Sequence, residues 1–209
     1  ELSVRLGHAS PALMARRHLL ALAYERRGRV AEADAQFRRL LVMDPGHDSR
    51  LDRAMLLERV GRRDLAAYEL AEFVRRRPRA IEARKDLARL LEALGRPADA
   101  VRVYKELVAR APGDTALAIG LGRALLVAKQ PEEAADALRA AQRLQPNDPA
   151  VRLETARYLL IRGREEEAHE ELVALAEKHP TTPAPAWLAL LLLERGESAA
   201  ARAAFERAY

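Results

Sequence analysis

Cysteine is absent from this 209-residue chain, and so is any long apolar run. Without thiols the chain forms neither a disulfide framework nor a thiolate metal site. The longest stretch without Asp, Glu, Lys or Arg, residues 179–193, contains three prolines and is shorter than the roughly 20 apolar residues that a membrane-spanning helix needs. The sequence therefore predicts no membrane span, and it suits a bacterial cytoplasm or periplasm equally well.

Aromatic residues and lysine are also scarce. Aromatic side chains make up 4% of the chain, and the 49% hydrophobic content comes mostly from Ala and Leu, which is typical of closely packed helices. Only four of the 36 basic residues are lysines, so 36 − 4 = 32 are arginines. Arginine forms bidentate pairs with carboxylates and phosphates, although GC-rich codon usage explains the same bias. The formal charge of +5 divides into +6 over residues 1–80 and −1 over residues 81–209.

Three residue types recur at a nearly constant interval of about 34 residues. Prolines with this spacing stand at Pro11, Pro45, Pro78, Pro112, Pro146 and Pro180. Alanines with the same spacing stand at Ala33, Ala66, Ala100, Ala134, Ala168 and Ala201. Glycines stand before the alanines at Gly28, Gly61, Gly95, Gly163 and Gly196, and Lys129 occupies the missing place in this series. Chance does not hold such series in register, so the whole chain is built from repeats.

Residues 81–114 are the clearest copy of the repeat. One face of their first half carries Leu87, Ala88 and Leu91, and Gly95 ends that half. The second half carries Ala100, Tyr104 and Leu107, and Pro112 closes the unit. This order resembles the tetratricopeptide repeat, a helix-turn-helix unit of about 34 residues.

The resemblance implies an all-α fold, a right-handed α-solenoid or superhelix of about six helix-turn-helix units. We expect a single array over residues 1–209, a fragment of a longer protein in which residues 1–11 end a truncated preceding repeat. Repeats are expected near 14–46, 47–80, 81–114, 115–148, 149–181 and 182–209. First helices are predicted near 12–27, 47–60, 79–94, 114–128, 148–162 and 182–195. Second helices are predicted near 30–43, 63–76, 97–110, 131–144, 165–178 and 198–208. Apolar faces at the two cut ends predict weak end-to-end self-association.

Small and large apolar residues at repeating positions are predicted to form the core. The alanine series belongs to it, together with a ladder of larger residues that ends at Phe205. At the start of the first helices, where the repeat family often has a large aromatic residue, this chain has Arg17, Arg50, Arg84, Ala118, Arg152 and Pro185. We expect these departures to affect the surface and not the fold.

The sequence contains no recognisable catalytic or metal-binding motif. The five histidines never stand at metal-ligand spacing, and the His169-Glu170-Glu171 segment lacks the second histidine of a zinc-protease helix. The glutamates at 165–167 stand where acidic side chains favour a helix N-terminus. The Gly120-Leu121-Gly122 segment is more simply a helix contact than a nucleotide loop, because no strand precedes it. We therefore predict no catalytic, metal-binding or cofactor-binding residues, no cofactor and no enzyme.

First helices line a concave groove in tetratricopeptide repeat proteins, so the resemblance implies a partner-binding surface there. The positions expected to meet a ligand are Leu22, Met55, Arg89, Arg123, Arg157 and Leu190. Arg89 lies one helical turn from Glu92, and Arg157 lies one turn from Glu154. Arg123 has no carboxylate within a turn of its own helix. We therefore expect Arg123 to anchor an acidic side chain or a terminal carboxylate of a partner, with Arg89 and Arg157 in support.

Apolar residues near Arg123 are expected to extend the same groove surface: Ile119, Leu126, Val127, Leu153, Leu160, Ile161 and Leu193. Exposed apolar patches of a few hundred Å² commonly mark interaction sites. A neighbouring helix of the intact protein is the alternative occupant of this surface.

The first functional hypothesis is a non-catalytic scaffold that binds another protein or an acidic peptide segment in its concave groove. A second is a structural spacer within a long bacterial repeat protein, such as a periplasmic component of polysaccharide export. A third is a nucleic-acid adaptor that uses the basic N-terminal third, where the densest basic run is residues 75–79. The third is disfavoured because no aromatic platform for base stacking is interleaved with those arginines.

Overall fold

The computed structural model describes residues 10–206, and these residues form twelve α-helices and no strand. The first helices of the repeats are α1 (Pro11–Arg26), α3 (Ser49–Arg59), α5 (Ile81–Ala93), α7 (Thr115–Val127), α9 (Pro149–Ile161) and α11 (Ala184–Glu194). The second helices are α2 (Val30–Met43), α4 (Arg63–Arg76), α6 (Pro97–Arg110), α8 (Pro131–Leu144), α10 (Glu165–Lys178) and α12 (Ser198–Glu206). The helix bounds agree with the predicted ones to within two residues.

The chain comprises two compact units. The first extends to Gly95 and contains α1 to α5, and the second begins at Arg96 and contains α6 to α12. In the first unit α2 packs on α1 and α3, and α4 packs on α3 and α5. In the second unit α7 packs on α6 and α8, and α10 packs on α9 and α11. A single array over residues 1–209 stays a prediction, and most of the expected remnant at 1–11 lies outside the described residues.

Local sequence explains where the helices begin and end. Pro97 and Pro131 occupy the first turns of α6 and α8, where a missing N–H costs nothing and the fixed φ suits the helix. Each first helix is followed by a turn that contains one residue with a left-handed backbone conformation. After α9 this residue is Gly163, with φ 70°. Glycine tolerates this conformation because it lacks a Cβ. The following N–H, that of Arg164, then bonds the carbonyl of Leu159 and closes the turn.

The alanine series lies in the core, as predicted. Five of its six members have no exposed surface, and Ala201 is 2% exposed. In the first unit Ala33 packs in a cluster with Phe37 and Leu40. In the second unit a cluster joins α9 to α12 and includes Leu172, Leu175, Leu188 and Leu192. The prediction for Phe205 is wrong, because half of that side chain is exposed.

The arginines at the start of the first helices are not surface residues throughout, which corrects the sequence-based expectation. Arg50 and Arg84 are 9% and 6% exposed. Arg50 donates to Glu69 on α4, and Arg84 donates to the carbonyl of Pro78 at 2.8 Å. Arg152 likewise donates to Glu171 at 2.8 Å. Each guanidinium therefore has a polar partner within its own repeat or at the end of the preceding one, although Nε of Arg50 is buried without a hydrogen-bond partner.

A polar network extends this arrangement across α2, α3 and α4. Glu69 is 3% exposed and accepts hydrogen bonds from both Arg50 and Arg53. Arg53 also donates through Nε to Asp34 of α2 at 2.7 Å. Asp34 in turn pairs with Arg38 at 3.1 Å. Two carboxylates and the guanidinium groups of Arg50 and Arg53 therefore share one connected, buried site, which the mostly exposed Arg38 joins at its edge.

Candidate functional site

A pocket of about 490 Å³ opens between the first helices α9 and α11 of the second unit. Its lining residues are Arg157, Leu160 and Ile161 of α9, Glu165 at the start of α10, and Trp187, Leu190, Leu191 and Glu194 of α11. Pockets of about 300 to 1,000 Å³ with a mostly apolar lining and a few placed polar groups are typical of binding sites. The lining combines apolar side chains with Arg157 and with two glutamates, Glu165 and Glu194, that stand at helix ends.

The apolar character of the pocket arises from a change of residue type between successive repeats. Leu190 occupies the position that Arg157 holds one repeat earlier, and Trp187 occupies the position that Glu154 holds one repeat earlier. The sixth repeat thus presents apolar side chains where the fifth presents charged ones. Leu190 is 60% exposed. Trp187 is partly buried because it packs against the cluster that joins α9 to α12.

Arg123 and Arg157 are brought together by one carboxylate. Glu154 Oε1 lies 4.0 Å from Arg123 Nη1, and Glu154 Oε2 lies 3.6 Å from Arg157 Nη1. The pairing of Arg157 with Glu154 agrees with the sequence prediction. For Arg123 the expectation was incomplete, because its carboxylate comes from the next first helix, α9, and not from a turn of its own helix.

Arg89 belongs to the first unit, and its pairing differs from the predicted one. It donates to Glu58 at 2.9 Å and to Asp86 at 3.4 Å, rather than to Glu92. The hydrogen bond to Glu58 raises the pKa of Arg89 above its usual value. Glu58 lies on the preceding first helix, α3, which packing brings close and which sequence spacing alone does not indicate.

The predicted apolar groove residues divide into interior and accessible sets. Ile119 and Leu126 are only 8% and 5% exposed, which corrects their assignment to the surface. Ile119 packs with Ala118, Ala141 and Val151. Leu153 and Leu160 are partly buried against the cluster of α9 to α12. Val127, Ile161 and Leu193 are exposed. Of all the residues predicted to meet a ligand or extend the groove, Arg157, Leu160, Ile161 and Leu190 line this pocket.

Sequence reasoning missed Trp187, Glu165 and Glu194 as pocket residues. Trp187 is the only tryptophan of the chain, and its place at a repeat position that holds Glu154 one repeat earlier was a readable signal. The two glutamates gave no such signal, because acidic residues at helix ends are common for local electrostatic reasons.

The basic run at 75–79 is largely paired with acidic side chains. Arg75 lies 2.6 Å from Glu72, and Arg77 lies 2.8 Å from Asp48. The hydrogen bond from Arg75 lowers the pKa of Glu72 below its usual value. Guanidinium groups held in this way offer less uncompensated charge to a phosphate backbone.

Within residues 10–206 no group of three or more His, Cys, Asp or Glu side chains is placed to hold a metal ion. No helix in the same range has the length and apolarity needed to cross a membrane.

Paired helices in six successive repeats define the class of this protein, an all-α solenoid of helix-turn-helix units, which confirms the predicted fold class. The chain belongs to the tetratricopeptide repeat family. Models of that repeat match residues 51–115, 85–149 and 119–183, and further models of it match residues 18–47 and 185–207.

Solved structures with the same fold include a tetratricopeptide repeat protein from Parabacteroides merdae. It superposes with a TM-score of 0.79 at 16% identity, over 93% of this chain and 78% of that one. MamA from Desulfovibrio magneticus RS-1 gives a TM-score of 0.67 at 18% identity, over 81% of this chain and 96% of that one. At these identities the likeness concerns the fold alone. No curated protein sequence matches this chain.

Proposed function

We propose that this chain is a non-catalytic scaffold that binds a segment of another protein on the first helices of its second unit. The observation that carries the proposal is the pocket between α9 and α11, in which a partly buried tryptophan lies beside exposed aliphatic side chains. Tetratricopeptide repeat proteins in general act as non-catalytic interaction scaffolds, and this pocket supplies a specific place for an interaction.

Physical chemistry favours occupation of this surface. Leu190 and Ile161 are 60% and 51% exposed and lie in the same pocket. Burying a leucine side chain that is otherwise exposed stabilises a complex by about 1.5 to 3 kcal/mol. Aromatic anchors such as tryptophan dominate the affinity of many protein interfaces. A partner that covers Trp187 and Leu190 together therefore gains from both effects.

Site-specific cross-linking tests the proposal. A photo-reactive amino acid placed at Leu190 should yield a discrete cross-linked partner in cells of the source organism. Leu144 is the matched control, because it is an exposed leucine at the end of the second helix α8, away from the pocket. Equal cross-linking at both positions, or none at Leu190, would contradict the proposal and favour a structural spacer.

The role of Arg157 follows from the same proposal. Arg157→Glu should weaken partner capture at Leu190 by about tenfold or more, because a charge-assisted pair contributes about 1.5 to 3 kcal/mol. Arg139→Glu is its control, since Arg139 is an exposed arginine on α8 that pairs within its own helix. If the Arg157→Glu variant captured the partner as well as the parent chain does, the Arg157 guanidinium would not contribute to binding.

A further inference from the structure

We propose that the pocket between α9 and α11 selects a peptide segment in which apolar residues separate one acidic residue from one basic residue. This inference rests on the proposed function, and it specifies the chemistry of the partner at that site. It departs from the acidic segment that the sequence suggested, because the pocket has a cationic margin and an anionic margin.

The cationic margin is formed by Arg157. Its side chain is 31% exposed and lines the pocket, while Glu154 behind it is 8% exposed. The guanidinium is thus more accessible to a bound segment than the carboxylate with which it pairs. A carboxylate of the bound segment is therefore favoured at this margin.

The anionic margin is formed by Glu165 and Glu194, at the first residue of α10 and the last residue of α11. Both are exposed, and in the described part of the chain neither side chain makes an ion pair or a hydrogen bond. Three nearby arginines are engaged with other carboxylates: Arg162 with Glu132, Arg164 with Glu167, and Arg195 with Glu166. The two glutamates thus present uncompensated negative charge to a bound segment, which favours a basic residue there.

The distance between the two margins sets the spacing of the ligand charges. Arg157 holds the repeat position of Leu190, which lies four residues from Glu194 on α11, or about 6 Å along a helix, and the axes of neighbouring packed helices lie about 10 Å apart. The two offsets combine to about 12 Å, a length that about three residues of extended peptide and their side chains span. An acidic and a basic residue separated by two apolar residues therefore match the pocket. A second acidic residue in place of the basic one would face Glu165 and Glu194, where like charges repel.

Trp187 provides the readout, because it is the only tryptophan of the chain. The probes are capped tetrapeptides without tryptophan: Asp-Leu-Leu-Lys, and the like-charged controls Asp-Leu-Leu-Asp and Lys-Leu-Leu-Lys. Only the first should shift Trp187 emission at low concentration, with both controls about tenfold weaker or more. Matched tryptophan-free peptides with serine for leucine should cause no saturable shift.

A charge-reversed variant makes the test independent of absolute affinity. The double substitution Glu165→Lys and Glu194→Lys changes two exposed residues, so helical content should be unchanged by circular dichroism. This variant should reverse the preference and bind Asp-Leu-Leu-Asp more tightly than Asp-Leu-Leu-Lys.

Each outcome separates this inference from the proposed function. If the doubly acidic peptide binds the parent chain as tightly as the mixed one, the inferred charge pattern is overturned, while peptide binding in the pocket stands. If no peptide shifts Trp187 emission but Leu190 still cross-links a partner, the inference fails and the scaffold proposal survives. Absence of both signals overturns the two together.

Discussion

Lys129 is the one residue of the turn series that carries a side chain in a left-handed backbone conformation. Its φ is 58°, close to the values of 66° to 80° at the five glycines of the equivalent turns. A left-handed conformation costs an L-residue roughly 1 to 2 kcal/mol. The turn nevertheless keeps its closing bond, from the N–H of Gln130 to the carbonyl of Leu125.

Lys129→Gly should therefore stabilise the chain. The relief of strain is partly offset by the greater freedom of glycine in the unfolded state, so the expected gain is about 0.5 to 1 kcal/mol in urea unfolding. Gly163→Ala is the converse control, because an added Cβ there meets no atom within 4 Å and the cost is conformational only. A stabilised Gly163→Ala variant would show that the turn conformation costs nothing.

Gly120 is small because a tyrosine ring occupies the space of its missing side chain. A Cβ at this position would lie 2.5 Å from Cε1 and 2.6 Å from Cζ of Tyr104, which is 6% exposed. Helix propensity alone favours alanine over glycine by about 1 kcal/mol. Overpacking of a filled core costs about 1 to 3 kcal/mol and opposes that gain.

Gly120→Ala should consequently destabilise the chain by about 1 kcal/mol. In a Tyr104→Ala background the same substitution should become neutral or stabilising, because the ring is gone and only helix propensity remains. Thermal unfolding of the four variants of this cycle measures the coupling. Equal effects in both backgrounds would mean that the ring does not limit residue 120.

At the scale of helices, α2, α3 and α4 are joined by the network around Glu69. Removing one member of a buried ionic group costs more than the group contributes to stability, since an unpaired charge stays behind. Glu69→Gln would leave Arg50 and Arg53 with an uncharged partner. We expect a loss of about 3 kcal/mol in urea unfolding.

Glu72→Gln, on the same helix, is the matched control for Glu69→Gln. Its partner Arg75 is mostly exposed, and surface pairs contribute about 1 kcal/mol or less. If the two variants lost equal stability, burial would not govern the energetics of this network.

The helices could be predicted from sequence, whereas the side-chain contacts between different helices could not. Proline, glycine and alanine at intervals of about 34 residues define where each helix begins, ends and touches its neighbour, and these are local properties. Arg50 looked like a surface residue because its partner Glu69 stands 19 residues away on another helix. Ile119 looked accessible for the same reason, since packing against Val151 decides its burial.

The candidate site could likewise be predicted from sequence only in part. Arg157, Leu160 and Ile161 were predicted from their repeat positions and line the pocket. On the opposite wall Leu190 was predicted from its repeat position, whereas Trp187 and Glu194 were not, because their place in the pocket depends on how α11 packs beside α9. Trp187 differs in residue type from Glu154, its counterpart in the preceding repeat, and a pattern of repeating residues does not identify such an exception.

At the scale of the whole molecule, exposed ion pairs should contribute to the response to acid. Hydrogen bonds from Arg29, Arg75 and Arg96 lower the pKa values of Glu32, Glu72 and Asp99. A carboxyl group with a lowered folded-state pKa stabilises the fold above its unfolded pKa, and that stabilisation disappears as pH falls through the folded value.

The midpoint of thermal unfolding should thus stay nearly constant from neutral pH down to about pH 5 and then fall below about pH 4. About 1 M salt should reduce the contribution of the exposed pairs, because it screens exposed charges. A midpoint that rises on acidification below pH 4 would contradict these pairings.

The hydrogen bond from Arg53 to Asp34 affects which duplications of a repeat are tolerated. Duplication of the second repeat would copy both Arg50 and Glu69, but Asp34 belongs to the first repeat and would not be copied. Its counterparts in the following four repeats are Ala67, Val101, Ala135 and His169, and none of these is acidic. A copy of the second repeat inserted after any of them would bring Arg53 without its carboxylate. Separation of the first two repeats would therefore leave the buried guanidinium of Arg53 without one of its two carboxylates, which disfavours shuffling at this point of the chain.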